Sequence, residues 1–255
     1  MKTTKLIIMT LLALVMPISV VAQRITDYQG VKYSVTGEVA TVVGYAVPEG
    51  AEEGMVDITI PNIVGRNYLV KGIAAGVFKD NNYLRSVEIQ SASIDIASGA
   101  FSNCPNLETI TLTVGATINE NAFSGLFTRA KLMVMESRQL RVIPASWGKN
   151  ATGFVKIVVC EGITAIRASA FEGLSELVAV VLPSTLSPSP TATTPTIGDN
   201  AFAGCSSLMG VTMNGSDPVS VGNDVFAPTI FNLVTIEVPA GSREAWAASD
   251  YWKKT

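Results

Sequence analysis

An aromatic residue preceded by a small or β-branched one recurs along the chain at Phe78, Phe101, Phe123, Trp147, Phe171, Phe202 and Phe226. The intervals are 23, 22, 24, 24, 31 and 24 residues, and the one long interval spans SPSPTATTPT, which reads as an insertion. Five residues before each aromatic stands an aliphatic: Ile73, Ile96, Ile118, Val142, Ile166, Ile197 and Val221. A period in this range marks a tandem array of small units. No other feature restricts the fold as much.

Past the aromatic, the units run into L-x-x-L-x-L. Leu84–Val87–Ile89, Leu107–Ile110–Leu112, Leu177–Val180–Leu182 and Leu208–Val211–Met213 fit it, as does Leu233–Ile236–Val238, one residue later in its unit. The fourth unit offers Phe154, Ile157 and Val159. The last two apolar positions alternate with a different residue between them, which predicts a short strand with one face inward. A unit of this length cannot bury its own Leu, Phe and Ile. Stacked on neighbours, its strand pairs in parallel and its apolar positions join one continuous core. Each buried Phe contributes about 1.5–3 kcal/mol. The small residue before it (Ala100, Ala122, Ala170, Ala201) leaves space for the next coil. A series of amphipathic helices does not fit, because the β-branched positions alternate at period two while Gly and Pro punctuate each unit.

AFSNCPNLETITL and AFAGCSSLMGVTM carry the unit I-x-x-x-A-F-x-x-C-x-x-L-x-x-V-x-L-P almost complete. That unit resembles the BspA-like leucine-rich repeat of bacterial surface and secreted proteins of the Bacteroidetes type, over roughly residues 55–240. The resemblance implies a leucine-rich-repeat solenoid with short parallel β-strands, about seven repeats of 22–24 residues. YQGVKYSVTGEVATVVGY is similar to the lead-in of such arrays and would form a β-hairpin covering the first coil, followed by VDITIP and YLVKGI. Residues 23–66 are then an N-terminal β cap, 67–239 the repeat array with a Pro/Thr-rich insertion at 184–196, and 240–255 a C-terminal cap. Two units depart from the pattern. The third, AFSGLFTRAKLMVM, lacks a clear Leu after its Phe, and the fourth has Trp147 for Phe and Ser146 for Ala.

The first 22 residues read as a secretory signal. Lys2 and Lys5 precede an apolar run from Leu6 to Val21, and Val20-Val21-Ala22 supplies the small residues of a cleavage site. A retained membrane anchor is the other reading, and Pro17 within the run weighs against it. Loss of Lys2 and Lys5 from 18 cationic and 21 anionic side chains leaves a mature charge of −5. That charge argues against a nucleic-acid partner. The chain has no His, which excludes Ser-His-Asp and Cys-His catalysis and removes the commonest zinc ligand. Cys104 and Cys205 follow the repeat Phe by three residues in units two and six, where other units have Leu126 and Leu174. Four coil steps of about 4.8 Å hold them far beyond the roughly 7 Å that a disulfide tolerates. These two and Cys160 are expected as free thiols. Near the C-terminus, Ser242 is placed to cap a short helix carrying Trp246 and Trp252. The pair reads as a lid over the last coil or as an aromatic ligand site.

Asp and Glu are scattered, and no motif for hydrolysis, nucleotide or calcium binding is present. No catalytic residue, cofactor or metal site is expected. Function is expected on the surface that the array creates. If the strand apolars point inward, unit one shows Ser86, Glu88 and Gln90, and unit two shows Thr109, Thr111 and Thr113. Toward the middle the outward set turns apolar, with Val158 and Val181. Unit three reads two ways: Met133 and Met135 outward, or Leu132 and Val134. The candidate partner surface is therefore Met133, Met135, Val158, Val181, Thr109 and Thr111, unless a loop or neighbouring molecule covers it. The expected function is an exported, secreted or cell-surface, non-catalytic protein-binding or adhesion module, with the periplasm as another location. A glycan-binding accessory protein is the alternative, disfavoured because these outward positions hold no aromatic.

Overall fold

The computed structural model describes residues 23–26, 29–126, 130–137, 140–186, 194–227 and 234–252. The expected export signal, residues 187–193 of the insertion, and Leu233 lie outside the described residues.

The chain opens with β1 (Gln23–Thr26), β2 (Val31–Thr36) and β3 (Val39–Tyr45), paired antiparallel in sequence. β4 (Val56–Ile60), β5 (Ile63–Val64) and β6 (Tyr68–Ile73) lead into the array. Coils then alternate a longer strand with a two-residue one: β7 (Leu84–Ile89) and β8 (Asp95–Ile96), β9 (Thr109–Thr113) and β10 (Thr117–Ile118), β11 (Lys131–Met135) and β12 (Val142–Ile143), β13 (Lys156–Val159) and β14 (Ala165–Ile166). β15 (Ala179–Leu182), β16 (Gly210–Met213), β17 (Thr235–Glu237) and the helix α1 (Arg243–Ala248) complete the chain. The longer strands form one eight-stranded parallel sheet in the order β17-β16-β15-β13-β11-β9-β7-β4. The fold is the expected parallel β-solenoid of leucine-rich-repeat type.

The ladder aliphatics line up across coils. Ile73 pairs with Ile96 and Ile96 with Ile118; Ile143 pairs with Ile166, which bridges to Ile197 and on to Val221. Inside, the rings stack: Phe78 on Phe101 at 4.8 Å, Phe101 on Phe123 at 5.5 Å, Phe171 on Phe202 at 5.3 Å, and Phe202 on Phe226 at 5.7 Å. Tyr45 of the hairpin lies on Phe78 at 5.4 Å, and Trp252 lies on Phe226 at 6.4 Å, so aromatic rings cover both ends of the stack. Ala100, Ala122, Ala170 and Ala201 are fully buried beside the rings. Their carbonyls accept the amide of the preceding coil at its ring position, as in Phe101 N to Ala122 O at 2.8 Å.

Coil four corrects the expected register. Ile143, not Val142, is the partner of Ile166, and the amide that donates to Ala170 O is that of Gly148, at 2.6 Å. Gly148 therefore stands where other coils have Phe, and Trp147 stands in the alanine position. The cause is backbone geometry. Two residues before each ring position the chain adopts a left-handed conformation, at Gly76, Gly99, Asn121, Ser169, Asn200 and Asp224, and in coil four at Ser146. The expected register would have put Ala145 there, and a Cβ without a hydrogen-bonding group makes that conformation costly.

Two details of the C-terminal end also differ. Ser242 is the N-cap residue of α1 as expected, but its side chain makes no capping bond; its Oγ donates to Pro239 O at 2.7 Å. The helix carries Trp246 alone, and Trp252 lies beyond its end. Both indoles are buried, and each donates its N–H to a backbone carbonyl, Trp246 to Ser216 at 3.1 Å and Trp252 to Val219 at 3.0 Å. That is the behaviour of a lid.

Candidate functional site

Parallel pairing places residues of successive coils side by side, so each outward strand position becomes a row across the sheet. One row runs Glu88, Thr111, Met133, Val158, Val181, Thr212, Glu237. A second, two residues earlier on the same strands, runs Ser86, Thr109, Lys131, Lys156, Ala179, Gly210, Thr235. The register of β11 is resolved here. Leu132 and Val134 are buried against Ile110 and Leu112, which leaves Met133 half-buried on the outer side and Met135 exposed. Both readings were open in the sequence because KLMVM is apolar at each alternate position. Pairing with TITLT, which is apolar on one side only, selects the first.

Of the six candidate residues, Thr111, Met133, Val158 and Val181 share a row of directly adjacent positions. Thr109 belongs to the neighbouring row, and Met135 is the register partner of Thr113. The sequence reading missed Lys131 and Lys156, register partners in the second row. Each stands two residues before Met133 or Val158, which sets it outward, but their pairing appears only once the strands are in register. It also missed Val178 and Met209, exposed at 38% and 64%. They stand at strand entries, where Met209 N donates to Val178 O at 2.9 Å. Between these apolar residues and Val181 lie Ala179 and Gly210. A Cβ built on Gly210 would meet nothing within 4 Å, so the surface is open at that point.

Acidic side chains stand toward the two ends of the sheet, at Asp57 and Glu88 and at Glu237. Arg85 and Asp57 form an ion pair, and Ser86 Oγ also donates to Asp57, at 2.6 Å. The Arg85 hydrogen bond holds the Asp57 carboxyl below the usual range. At the other end Thr212 Oγ1 donates to Glu237 at 3.0 Å. All three cysteines are free. Burial pushes the Cys104 thiol up to about 11 and the Cys205 thiol to about 12. Each donates to the ring residue's carbonyl of the preceding coil, Phe78 O at 3.0 Å and Phe171 O at 3.3 Å. Cys160, half-buried, is also raised, chiefly by desolvation. Protonated at neutral pH, the two buried thiols act as small packing groups with a weak donor.

A cavity of about 670 Å³ opens between β17 and α1, walled by Ile236, Val238, Arg243, Trp246 and Trp252. Its two indoles are committed to the lid's own hydrogen bonds. Among the described residues no group of three His, Cys, Asp or Glu side chains is placed to hold a metal ion. No helix among them is long and apolar enough to cross a membrane.

The family model for the BspA type leucine rich repeat region matches in six copies, over residues 71–192 and 188–246. No curated protein matches the chain. Among solved structures, a leucine rich repeat protein of T. pallidum is similar at 19% identity and a TM-score of 0.37, covering 73% of this chain and 70% of that one. A leucine rich cell surface protein from Faecalibacterium prausnitzii A2-165 is 22% identical with a TM-score of 0.32, over 76% of this chain and 55% of that one. A leucine-rich repeat protein from Bacteroides ovatus ATCC 8483 is 14% identical with a TM-score of 0.28, over 85% and 79%.

Proposed function

This chain belongs to the BspA-type leucine-rich repeat family, and on that premise we propose that it is an exported, non-catalytic module that binds a protein partner at a cell surface. The binding surface is the outward face of the eight-stranded sheet. The observation that carries this reading is the run Met133, Val158, Val181, three adjacent apolar side chains in a row where the flanking coils have Thr and Glu. Apolar surface held outward by a rigid sheet, while the rings and aliphatics are buried, is what a docking face requires. Val178 and Met209 extend it toward the strand entries. Export rests on the sequence of residues 1–22, and contact with host or neighbouring cells is the role assigned to the module.

The test is a binding screen of the secreted form against purified extracellular matrix proteins and polysaccharides, with the triple variant Met133→Ser, Val158→Ser, Val181→Ser beside it. A protein ligand that the variant binds at least about tenfold more weakly is the expected result, since a few buried anchors dominate such interfaces. Unchanged binding of every ligand found would remove the assignment of this face. Capture of polysaccharides alone would turn the function toward glycan binding.

A further inference from the structure

Lys131 and Lys156 are direct register partners on neighbouring strands, so their side chains leave the outer face side by side, with bases about 4.8 Å apart. Like charges directly opposite one another destabilise a sheet. A carboxylate in the next row or coil would relieve that repulsion, and among the described residues none pairs with either lysine. The ion pairs there are Arg85 with Asp57 and Arg141 with Glu136. Glu108, in the coil before Lys131, acts on Arg85. Glu88 accepts from Gln90, and Glu237 accepts from Thr212. The whole chain carries more acid than base, 21 against 18, so two uncompensated ammonium groups at the middle of the sheet invert its sign locally.

Beyond Thr109, the register partner of Lys131, their neighbours are apolar. Met133 and Val158 lie two residues further along the same strands, and Ala179 follows Lys156 in its own row. The lysine row and the apolar row are thus about 6.6 Å apart, the two-residue repeat of extended chain. A peptide lying along the strands repeats its side chains on one face at that same spacing. An acidic residue followed two positions later by an apolar one sets its carboxylate against Lys131 or Lys156 and its apolar group against Met133 or Val158. A sugar polymer finds less here, because Met133, Val158 and Val181 offer neither hydrogen bonds to hydroxyls nor an aromatic face.

Resting on the reading of this face as the partner surface, we propose that its occupant is an extended, acidic segment of another protein in which carboxylate and apolar side chains alternate at i and i+2. The ammonium groups of Lys131 and Lys156 donate to a carboxylate of the segment, and Met133 and Val158 hold the apolar group two residues on.

The experiment titrates the full chain with a labelled peptide of repeating Glu-Ser-Leu-Ser, with its Gln-for-Glu counterpart, and with polygalacturonate, at about 0.05 M and about 0.5 M salt. The acidic peptide is expected to bind, with salt-sensitive affinity. The Gln peptide, and the variant Lys131→Glu with Lys156→Glu, should each lower affinity at least about tenfold. The neutral variant Lys131→Gln with Lys156→Gln should weaken binding less while leaving the fold at least as stable, which separates lost recognition from lost folding. Absence of acidic-peptide binding, equal affinity for the Gln peptide, indifference to both lysine variants, or polygalacturonate as the better ligand would each overturn the proposal. If a protein ligand is lost with the serine triple variant but kept with the lysine variants, the partner surface stands and its acidic occupant falls.

Discussion

In the coil of Phe202 the core ring comes from the fifth residue after the ladder aliphatic, and it stacks at 5.3 Å on Phe171 and 5.7 Å on Phe226. In the coil of Ile143 the fifth residue is Gly148. There a ring arrives from Phe154, at the strand's lead position, and meets Phe123 at 5.1 Å with a 59° tilt. Trp147 meets Phe171 edge-on at 6.0 Å and donates its indole N–H to Ala116 O at 2.7 Å. The short-strand ladder also parts here, since no bridge among the described residues joins Ile118 to Ile143. The eight-stranded sheet does not part: Leu132, Ile157 and Val180 remain in register and buried. The stack thus requires ring volume at a given depth, and a coil can supply it from a different residue as long as its strand keeps its place. The outward row therefore crosses the irregular coil intact.

Phe202→Ala breaks the regular side of this comparison and should have the largest effect, about 3–5 kcal/mol lost in chemical denaturation. Phe154→Leu restores the residue other units have at that position. If Phe154 fills the ring vacancy of coil four, the change should nonetheless cost about 1–3 kcal/mol, whereas an ordinary strand position would tolerate it. Gly148→Ala sharpens the same point from the other direction. Its Cβ would lie 2.5 Å from Phe171 Cδ1 and 3.0 Å from Ala170 O, and overpacking of this kind costs about 1–3 kcal/mol.

Most of the array was legible because its physics is periodic. Ile96 and Ile197 or Phe101 and Phe202 occupy equivalent places and leave equivalent marks. Coil four was misread because Val142 and Trp147 satisfy the aliphatic-to-aromatic spacing as well as Ile118 and Phe123 do. What discriminates is the turn, where Ser146 and not Ala145 takes the left-handed conformation, and a search on apolar positions does not see turns. The outward apolar residues were found by strand alternation. Lys131 and Lys156 were not, because their significance lies in being neighbours across strands, a relation that appears only once coils are placed in register.

The thiols offer a smaller contrast between buried and outward positions. Cys104 and Cys205, raised to about 11 and about 12 from 9.0, favour the protonated folded state. Their contribution is complete below pH 9 and is lost as pH rises through those values, so stability should decline in alkali and decline less in Cys104→Ala with Cys205→Ala. A thiol reagent at neutral pH should modify Cys160 first and the buried pair only on unfolding. The smallest effect belongs to Asp57→Asn, which removes an exposed ion pair and should cost at most about 1 kcal/mol.

Amide hydrogen exchange across β9, β11, β13 and β15 tests most directly whether the sheet runs unbroken through the irregular coil. Ile110, Leu132, Ile157 and Val180 should be protected to a similar degree and open together. Exchange at Ile157 as fast as in a frayed terminus, with its neighbours still protected, would mean that the array is two separate stacks and that the row across its face does not exist as one surface.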